Sequence, residues 1–259
     1  MLSADTHFEL KLATDPQDLR AAQRLRYEVF VSELGGDGAL VDHQKRLEMD
    51  AFDPHFDHLI LIDKTRDRAA LDHVVGVYRV LRGEQAQELG RFYSESEYDL
   101  SALKSCGRRL LELGRSCLHK DYRGGTAMMH LWTGLADYVL EHRIEVLFGV
   151  ASFHGTDTAA LKMPLAYLHH YHLAPPELRA RVLPDHGQRM DLIPRDQIDR
   201  KAAMLATPAL IKAYLRLGGY VGEGAYIDHQ FNTTDVCLIM DTEKMNAKSR
   251  AMYAREHKR

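Results

Sequence analysis

LLELGRSCLHKDYRGGTAMMHLWTGLADYVLEH, residues 110–142, decides the fold. Residues 110–119 are an apolar run and read as a strand; 121–126 read as a turn. Residues 127–142 read as a helix with Met128, Leu131, Leu135 and Val139 along one face. A strand that passes through a tight glycine turn into a long helix is a unit of mixed α/β sheets. Backbone N–H groups at the start of such a helix point outward, and its dipole favours an anion there. Gly124 and Gly125 let the backbone approach a ligand without a Cβ in the way, and Lys120 and Arg123 add positive charge. A phosphate-bearing donor, coenzyme A or the phosphopantetheine arm of an acyl carrier protein, suits this cradle. A plain turn before a helix would carry the same two glycines, so both readings stand at this level.

Working outward, Glu112 and Arg115 set opposite charges into an apolar strand, where an unpaired buried charge is costly. Strict alternation puts them on opposite faces, and a bulge at Gly114 would bring them to one side. They are either a structural ion pair or a general base with its partner. In the second case burial raises the pKa of Glu112, and Glu112 takes a proton from an amine nucleophile. Upstream, residues 7–13 alternate as a strand, and Asp15-Pro16 opens a helix that Gly35-Gly36 ends. Residues 36–57 form a long loop, which in a compact domain is usually functional. Glu48, Asp50 and Asp53 in that loop, with Arg26 and Phe30 on the preceding helix, either hold a cationic substrate or form a solvated loop. Strands follow at 58–63 and 71–81, then a short helix within 95–103.

Downstream, 146–153 is a buried strand and 161–170 a helix. Residues 172–200 look like an insertion, and 202–217 read as one amphipathic helix stopped by Gly218-Gly219. The 172–217 stretch would dock on a membrane or an acidic carrier protein, or pack on the core. Strands at 226–231 and 236–240 close the sheet. The organisation expected is one domain over 1–245, with a charged tail at 246–259. His169, His170 and His172 point in different directions on a helix, so no metal site is expected. His154 ends a strand, either as a structural histidine or beside a cleft.

The chain has 259 residues and a formal net charge of -3, which argues against bulk nucleic-acid binding. Three cysteines without CxxC spacing argue against a disulfide framework or zinc and fit a reducing cytoplasm. The first residues lack the pattern of a secretion signal, and no run is long and apolar enough to span a bilayer.

Together LRYEVFVSELGG (25–36), EMDAFDPHFDHLILID (48–63), VVGVYRVLR (74–82), FYSESEYDL (92–100), LLELGRSCLHKDYRGG (110–125) and ASFHGTD (151–157) resemble the bacterial ornithine acyl-[acyl carrier protein] N-acyltransferases. So does LIKAYLRLGGYVGEGAYIDHQFNTTDVCLIMD, residues 210–241. The resemblance implies a GNAT (acyl-CoA N-acyltransferase) fold, a mixed central sheet flanked by helices. It implies transfer of a 3-hydroxyacyl group from acyl carrier protein to the α-amine of ornithine, giving lyso-ornithine lipid. The N-terminal half also resembles acyl-homoserine-lactone synthases, through Arg26 and Phe30, Asp50 and Asp53, Val74–Arg79, and Glu112 with Arg115.

On that resemblance Glu112 and Arg115 are the catalytic pair. Leu118, Lys120, Arg123, Gly124, Gly125 and Thr126 bind the donor, with backbone N–H groups near Leu118 polarising the thioester. Arg26, Phe30, Glu48, Asp50, Asp53, Ser152 and His154 bind the acceptor. No resident cofactor is expected; acyl-acyl carrier protein is a co-substrate. The protein would act in the cytoplasm, with peripheral contact at the inner membrane surface. Coenzyme A-using relatives carry Q/R-x-x-G-x-G/A, whereas here Tyr122 holds the leading basic position, which suits a donor with one phosphodiester. The alternatives are the same reaction on glutamine or lysine, a lactone synthase using S-adenosylmethionine, and a non-catalytic membrane-active protein.

Overall fold

A computed structural model describes residues 7–244. The expected charged tail at 246–259 lies outside the described residues. In chain order the elements are β1 (Phe8–Leu12), α1 (Pro16–Arg26), β2 (Asp57–Asp63), β3 (Val74–Arg82), α2 (Gly83–Leu89), β4 (Tyr98–Asp99) and α3 (Ser101–Ser105). Then come β5 (Leu110–Leu118), α4 (Ala127–Glu141), β6 (Val146–His154), α5 (Lys162–His172), β7 (Arg181–Val182) and β8 (Gly187–Gln188). The chain ends with α6 (Arg200–Ala206), α7 (Ala209–Arg216), β9 (Tyr220–Val221), β10 (Ala225–Asp228) and β11 (Thr233–Asp241).

The chain divides into two compact units, with β5 passing from one to the other. The first takes the chain up to Leu89 and again over Leu113–His142; the second takes Gly90–Glu112 and the chain from Arg143 onward.

In the first unit the strand order is β1-β2-β3-β5. β1 runs antiparallel to β2 from Phe8↔Asp63 to Leu12↔Leu59, and β2 antiparallel to β3. α1 starts where the cap chemistry puts it: the Asp15 carboxylate accepts from the Gln17 and Asp18 amides, and Pro16 takes the first helical position. Its Ala21, Ala22 and Leu25 pack with Ile60, Ile62, Val74, Val77 and Cys117. α4 covers the sheet through Gly134, where an added Cβ would collide with Leu10 and come within 3.3 Å of Leu59. We expect Gly134→Ala to cost about 1–3 kcal/mol by overpacking, read as a lower denaturant midpoint at unchanged m-value.

In the second unit residues 110–112 of β5 pair in parallel with β6, from Leu110↔Val146 to Glu112↔Phe148. β6 then pairs antiparallel with β11 over nine residues, from Val146↔Asp241 to His154↔Thr233. β10 adds to β11, β8 to β10, and β9 to the other end of β11. β11 is buried along its whole length, as a central strand flanked on both sides must be. β4 and β7 form a small separate ribbon.

Four elements depart from the expected reading; one is the strand expected over 226–231, which ends at Asp228 as the Gln230 and Phe231 amides turn back to the Asp228 carboxylate. The helix opened at Asp15 does run to Glu33, but residues Tyr27–Glu33 are π-helical, a widened turn that carries Phe30. The single helix expected over 202–217 is two, because Pro208 removes an amide donor and pushes Thr207 to ψ 134°. The strand expected from residue 71 begins at Val74, since Leu71 sits at φ +59° in a turn. Among the described residues no helix is long and apolar enough to cross a membrane.

Candidate active site

Three arginines and three carboxylates meet in the first unit. Arg26 ends α1 and is fully buried; its Nε donates to Glu48 at 2.5 Å and its Nη1 to Asp53 at 2.6 Å. Arg79, on β3, donates to both oxygens of Asp50 at 2.7 Å and to Asp53 at 2.8 Å. Arg115, on β5, reaches Glu48 at 3.1 Å and Asp50 at 3.6 Å. Aromatic faces close the set: Arg79 lies 4.4 Å above the Phe56 ring and Arg115 lies 5.8 Å above Phe30. Arg26, Phe30, Glu48, Asp50, Asp53 and Arg115 are thus brought together. The cations these carboxylates hold in the structure are the chain's own, and three positive charges balance three negative ones. Asp50 also caps the loop, accepting from the Phe52 and Asp53 amides.

Arg115 enters through an uncommon backbone. It sits at φ +48° inside β5, a conformation a non-glycine residue rarely adopts. The irregularity anticipated at Gly114 falls one residue later.

Burial alone would raise the Glu48 carboxyl, but the Arg26 and Arg115 guanidiniums outweigh it and hold it below the usual range. Asp50 and Asp53 are lowered in the same way, against burial, by Arg79 with Arg115 and by Arg26 with Arg79. Groups whose pKa is lower folded than unfolded add stability above their unfolded pKa and lose it as pH falls through the folded one. The melting temperature should therefore hold near neutrality and fall progressively below about pH 5, checked by thermal scans across pH.

The turn expected to bind the donor also lies in the first unit. Residues Lys120–Tyr122 make a 3-10 turn, Gly124 takes φ +79°, and Gly124, Gly125 and Thr126 are exposed. Among the described residues no side chain caps the first turn of α4, and no acidic residue lies in it. Its outer amides are left to solvent or an anion. Arg123 donates to the Leu118 carbonyl at 3.1 Å and to Glu33 at 2.8 Å, bracing the turn, while the Lys120 side chain is largely exposed. The Tyr122 hydroxyl donates to Asp63 at 2.6 Å, so this side chain is held on β2.

In the second unit Glu112 is 1% exposed. Both its oxygens are engaged: Oε2 accepts from the Tyr93 amide at 2.8 Å, and Oε1 from the Ser94 amide at 2.7 Å and the Ser94 hydroxyl at 2.5 Å. The register places Glu112, Phe148 and Ile239 side by side on one face of this sheet, and two positions further along each strand the same face carries Val150 and Cys237. It continues with Ser152 beside Asp235 and His154 beside Thr233; Ser152 and His154 are exposed, Asp235 and Thr233 buried.

Both conformation and identity bear on what this chain is. An acetyltransferase (GNAT) domain model matches residues 25–133. The chain is 61% identical over 255 residues to the L-ornithine N(alpha)-acyltransferase of Rhodobacter capsulatus, covering 98% of both chains. It is 40% identical to that of Brucella abortus, covering 97% of this chain and 90% of the relative. The chain belongs to the L-ornithine N(alpha)-acyltransferase family.

The solved structure of FeeM, an N-acyl amino acid synthase from uncultured soil microbes, matches at TM-score 0.54 and 12% identity, covering 95% of this chain and 98% of that one. BjaI, a CoA-dependent acyl-homoserine lactone synthase, matches at TM-score 0.51 and 13% identity, covering 93% and 82%. At such identities the likeness concerns the fold, which is the GNAT fold that the family resemblance implies.

For an ornithine N(alpha)-acyltransferase the nucleophile question has a simple answer on this chain. Burial pushes the Cys117 thiol up to about 12, so it stays protonated near neutral pH and no thiolate is available for a covalent step. The Tyr93 amide and the Ser94 and Arg79 side chains contact the candidate residues, and spacing alone left all three out of the site.

Proposed function

We propose that this protein transfers a fatty acyl group from an acyl carrier protein thioester to the α-amine of ornithine, giving lyso-ornithine lipid. The observation that carries this reading is the likeness, at 61% identity and nearly full length, to a relative named L-ornithine N(alpha)-acyltransferase. The donor turn supports a phosphopantetheine donor: with Tyr122 tied to Asp63, the bare amides after Gly124 and the Lys120 charge suit one phosphodiester.

The chemistry needs no enzyme-bound intermediate, because a thioester is already activated. The ammonium of ornithine gives its proton to Glu112 through the Ser94 hydroxyl, which is bonded to that carboxylate and, like it, 1% exposed. The free amine attacks the thioester carbon, a C–N bond forms, and backbone N–H groups near Leu118 stabilise the oxyanion. The C–S bond then breaks, and the carrier thiolate leaves with the second proton, which the acylated nitrogen gives up. Arg26, Glu48, Asp50, Asp53, Arg79 and Arg115 act by holding the loop over residues 48–56 in place.

The test is mass spectrometry of products from 3-hydroxyacyl-acyl carrier protein offered with ornithine, lysine, glutamine and S-adenosylmethionine. N-acyl-ornithine is the expected product. A product with lysine or glutamine alone would move the acceptor, and a lactone from S-adenosylmethionine would overturn the reading. Turnover should also fall as salt rises, since an acidic carrier protein is steered by charge.

A further inference from the structure

The sheet face that begins at Glu112 ends in a set of polar groups the reaction as written does not use. Asp235 is 5% exposed, and Glu97, on the segment leading into β4, is 4% exposed. Asp235 is flanked in register by Ser152 on β6 and Tyr226 on β10, so the three side chains share one face. The Tyr98 hydroxyl donates to the Asp235 carbonyl at 2.8 Å and ties the Glu97 segment to this part of β11. The two carboxylates act on common neighbours: after burial, the charges of Glu97 and Asp235 are among the causes that raise the Tyr98 and Tyr226 hydroxyls. Cys237, between the Glu112 and Asp235 positions on this face, is raised by burial and then by Glu112 and Glu97.

A second observation points to a ligand. Thr233 lies two residues from Asp235 on the same face and is 9% exposed; among the described residues its Oγ1 has no hydrogen-bond partner. A buried hydroxyl without a partner carries a desolvation penalty that a bound donor would remove. Exposed Ser152 and His154 leave this end of the face open, whereas Phe148 at the Glu112 end is buried. A hydroxyl that lacks a partner beside buried carboxylates suits a hydrogen-bond-donating cation, and an ammonium group offers three donors.

We propose that Asp235 and Glu97, with the Thr233 hydroxyl, are the specificity end of the acceptor site and take the side-chain ammonium of the amino acid. The inference rests on the ornithine reading above. Ornithine carries two amines, of which one must lose its proton to react and the other stays charged. Glu112 and Asp235 serve these two amines from a single sheet face, four β6 positions apart, Phe148 against Ser152.

The experiment compares ornithine with norvaline, which has the same carbon chain and no side-chain amine. Wild-type enzyme should prefer ornithine strongly in kcat/KM. Asp235→Asn and Glu97→Gln should each raise KM for ornithine by about 30-fold or more, the scale for losing one partner of a buried charge pair. Both should leave kcat at saturation nearly unchanged and KM for norvaline unchanged or lower. Asp235→Glu should keep the preference, and Thr233→Val should weaken it by a smaller factor. Folded Asp235→Asn and Glu97→Gln enzymes that discriminate as wild type does would overturn the inference. If Asp235→Asn does not fold, Glu97→Gln and Thr233→Val decide it, and unchanged discrimination in both overturns it. Acylation of ornithine by wild type with no loss of discrimination in the variants sinks this inference alone. No acylation of ornithine by wild type sinks the functional reading and this inference with it.

Discussion

Arg26→Met should lower the melting temperature by about 6–20 °C. The side chain is fully buried and donates to Glu48 and Asp53, which are 1% and 5% exposed. Removing it leaves one uncompensated negative charge among buried groups, and breaking a buried pair this way costs about 3–5 kcal/mol. In a chain of this size each kcal/mol moves the midpoint by about 2–4 °C. Methionine fills much of the same volume, so the loss reports charge more than cavity. The companion measurement is Arg26→Met combined with Glu48→Gln. Balance returns in the double variant, two arginines against two carboxylates, and the midpoint should recover part of the drop. A single variant that melts within about 2 °C of wild type would mean the network contributes less than one ordinary hydrogen bond, and the loop over residues 48–56 is held by something else.

What could be read in advance follows the range of the physics involved. Asp15-Pro16, the strand over 58–63 and the turn at residues 121–126 were legible because capping, apolar runs and glycine turns act within a few residues. The break at Pro208 was in plain view, yet the apolar period runs through it on both sides and reads as one helix. The π-helical turn at Phe30 leaves no such trace, since it differs from an α-helix by one residue in a hydrogen-bond ring. Arg26, Glu48, Asp50 and Asp53 could be named from the residues and the resemblance. That they pair with Arg79 and Arg115 needs the register of β3 and β5, which spacing does not contain. Asp235 and Thr233 stayed invisible for the same reason. Both sit in the long buried strand TTDVCLIMD, and only its nine-residue register with β6 puts them beside Ser152 and His154.

Glu112→Ala should lower turnover by about 10²–10⁴-fold at neutral pH, the range for losing a general base. The ammonium of an amino acid is largely protonated there, and attack on the thioester waits on its proton. The carboxylate is held by three donors from Tyr93 and Ser94, of which the Ser94 hydroxyl is the one that can itself pass a proton. Two roles compete for this residue: Glu112 either accepts the proton or only anchors the turn over residues 93–96. Their signatures differ. A base that is missing should matter less as pH rises and more of the amine is free, so the deficit of Glu112→Ala should shrink between pH 7 and pH 9. An anchor that is missing misplaces neighbouring groups by the same amount at every pH, giving a constant deficit with a raised KM. Ser94→Ala divides the roles further, because it keeps the backbone donors and removes only the hydroxyl. A slower Ser94→Ala enzyme with unchanged KM supports the proton path, whereas near-normal turnover of Glu112→Ala across pH 7–9 would show that the proton leaves by another route.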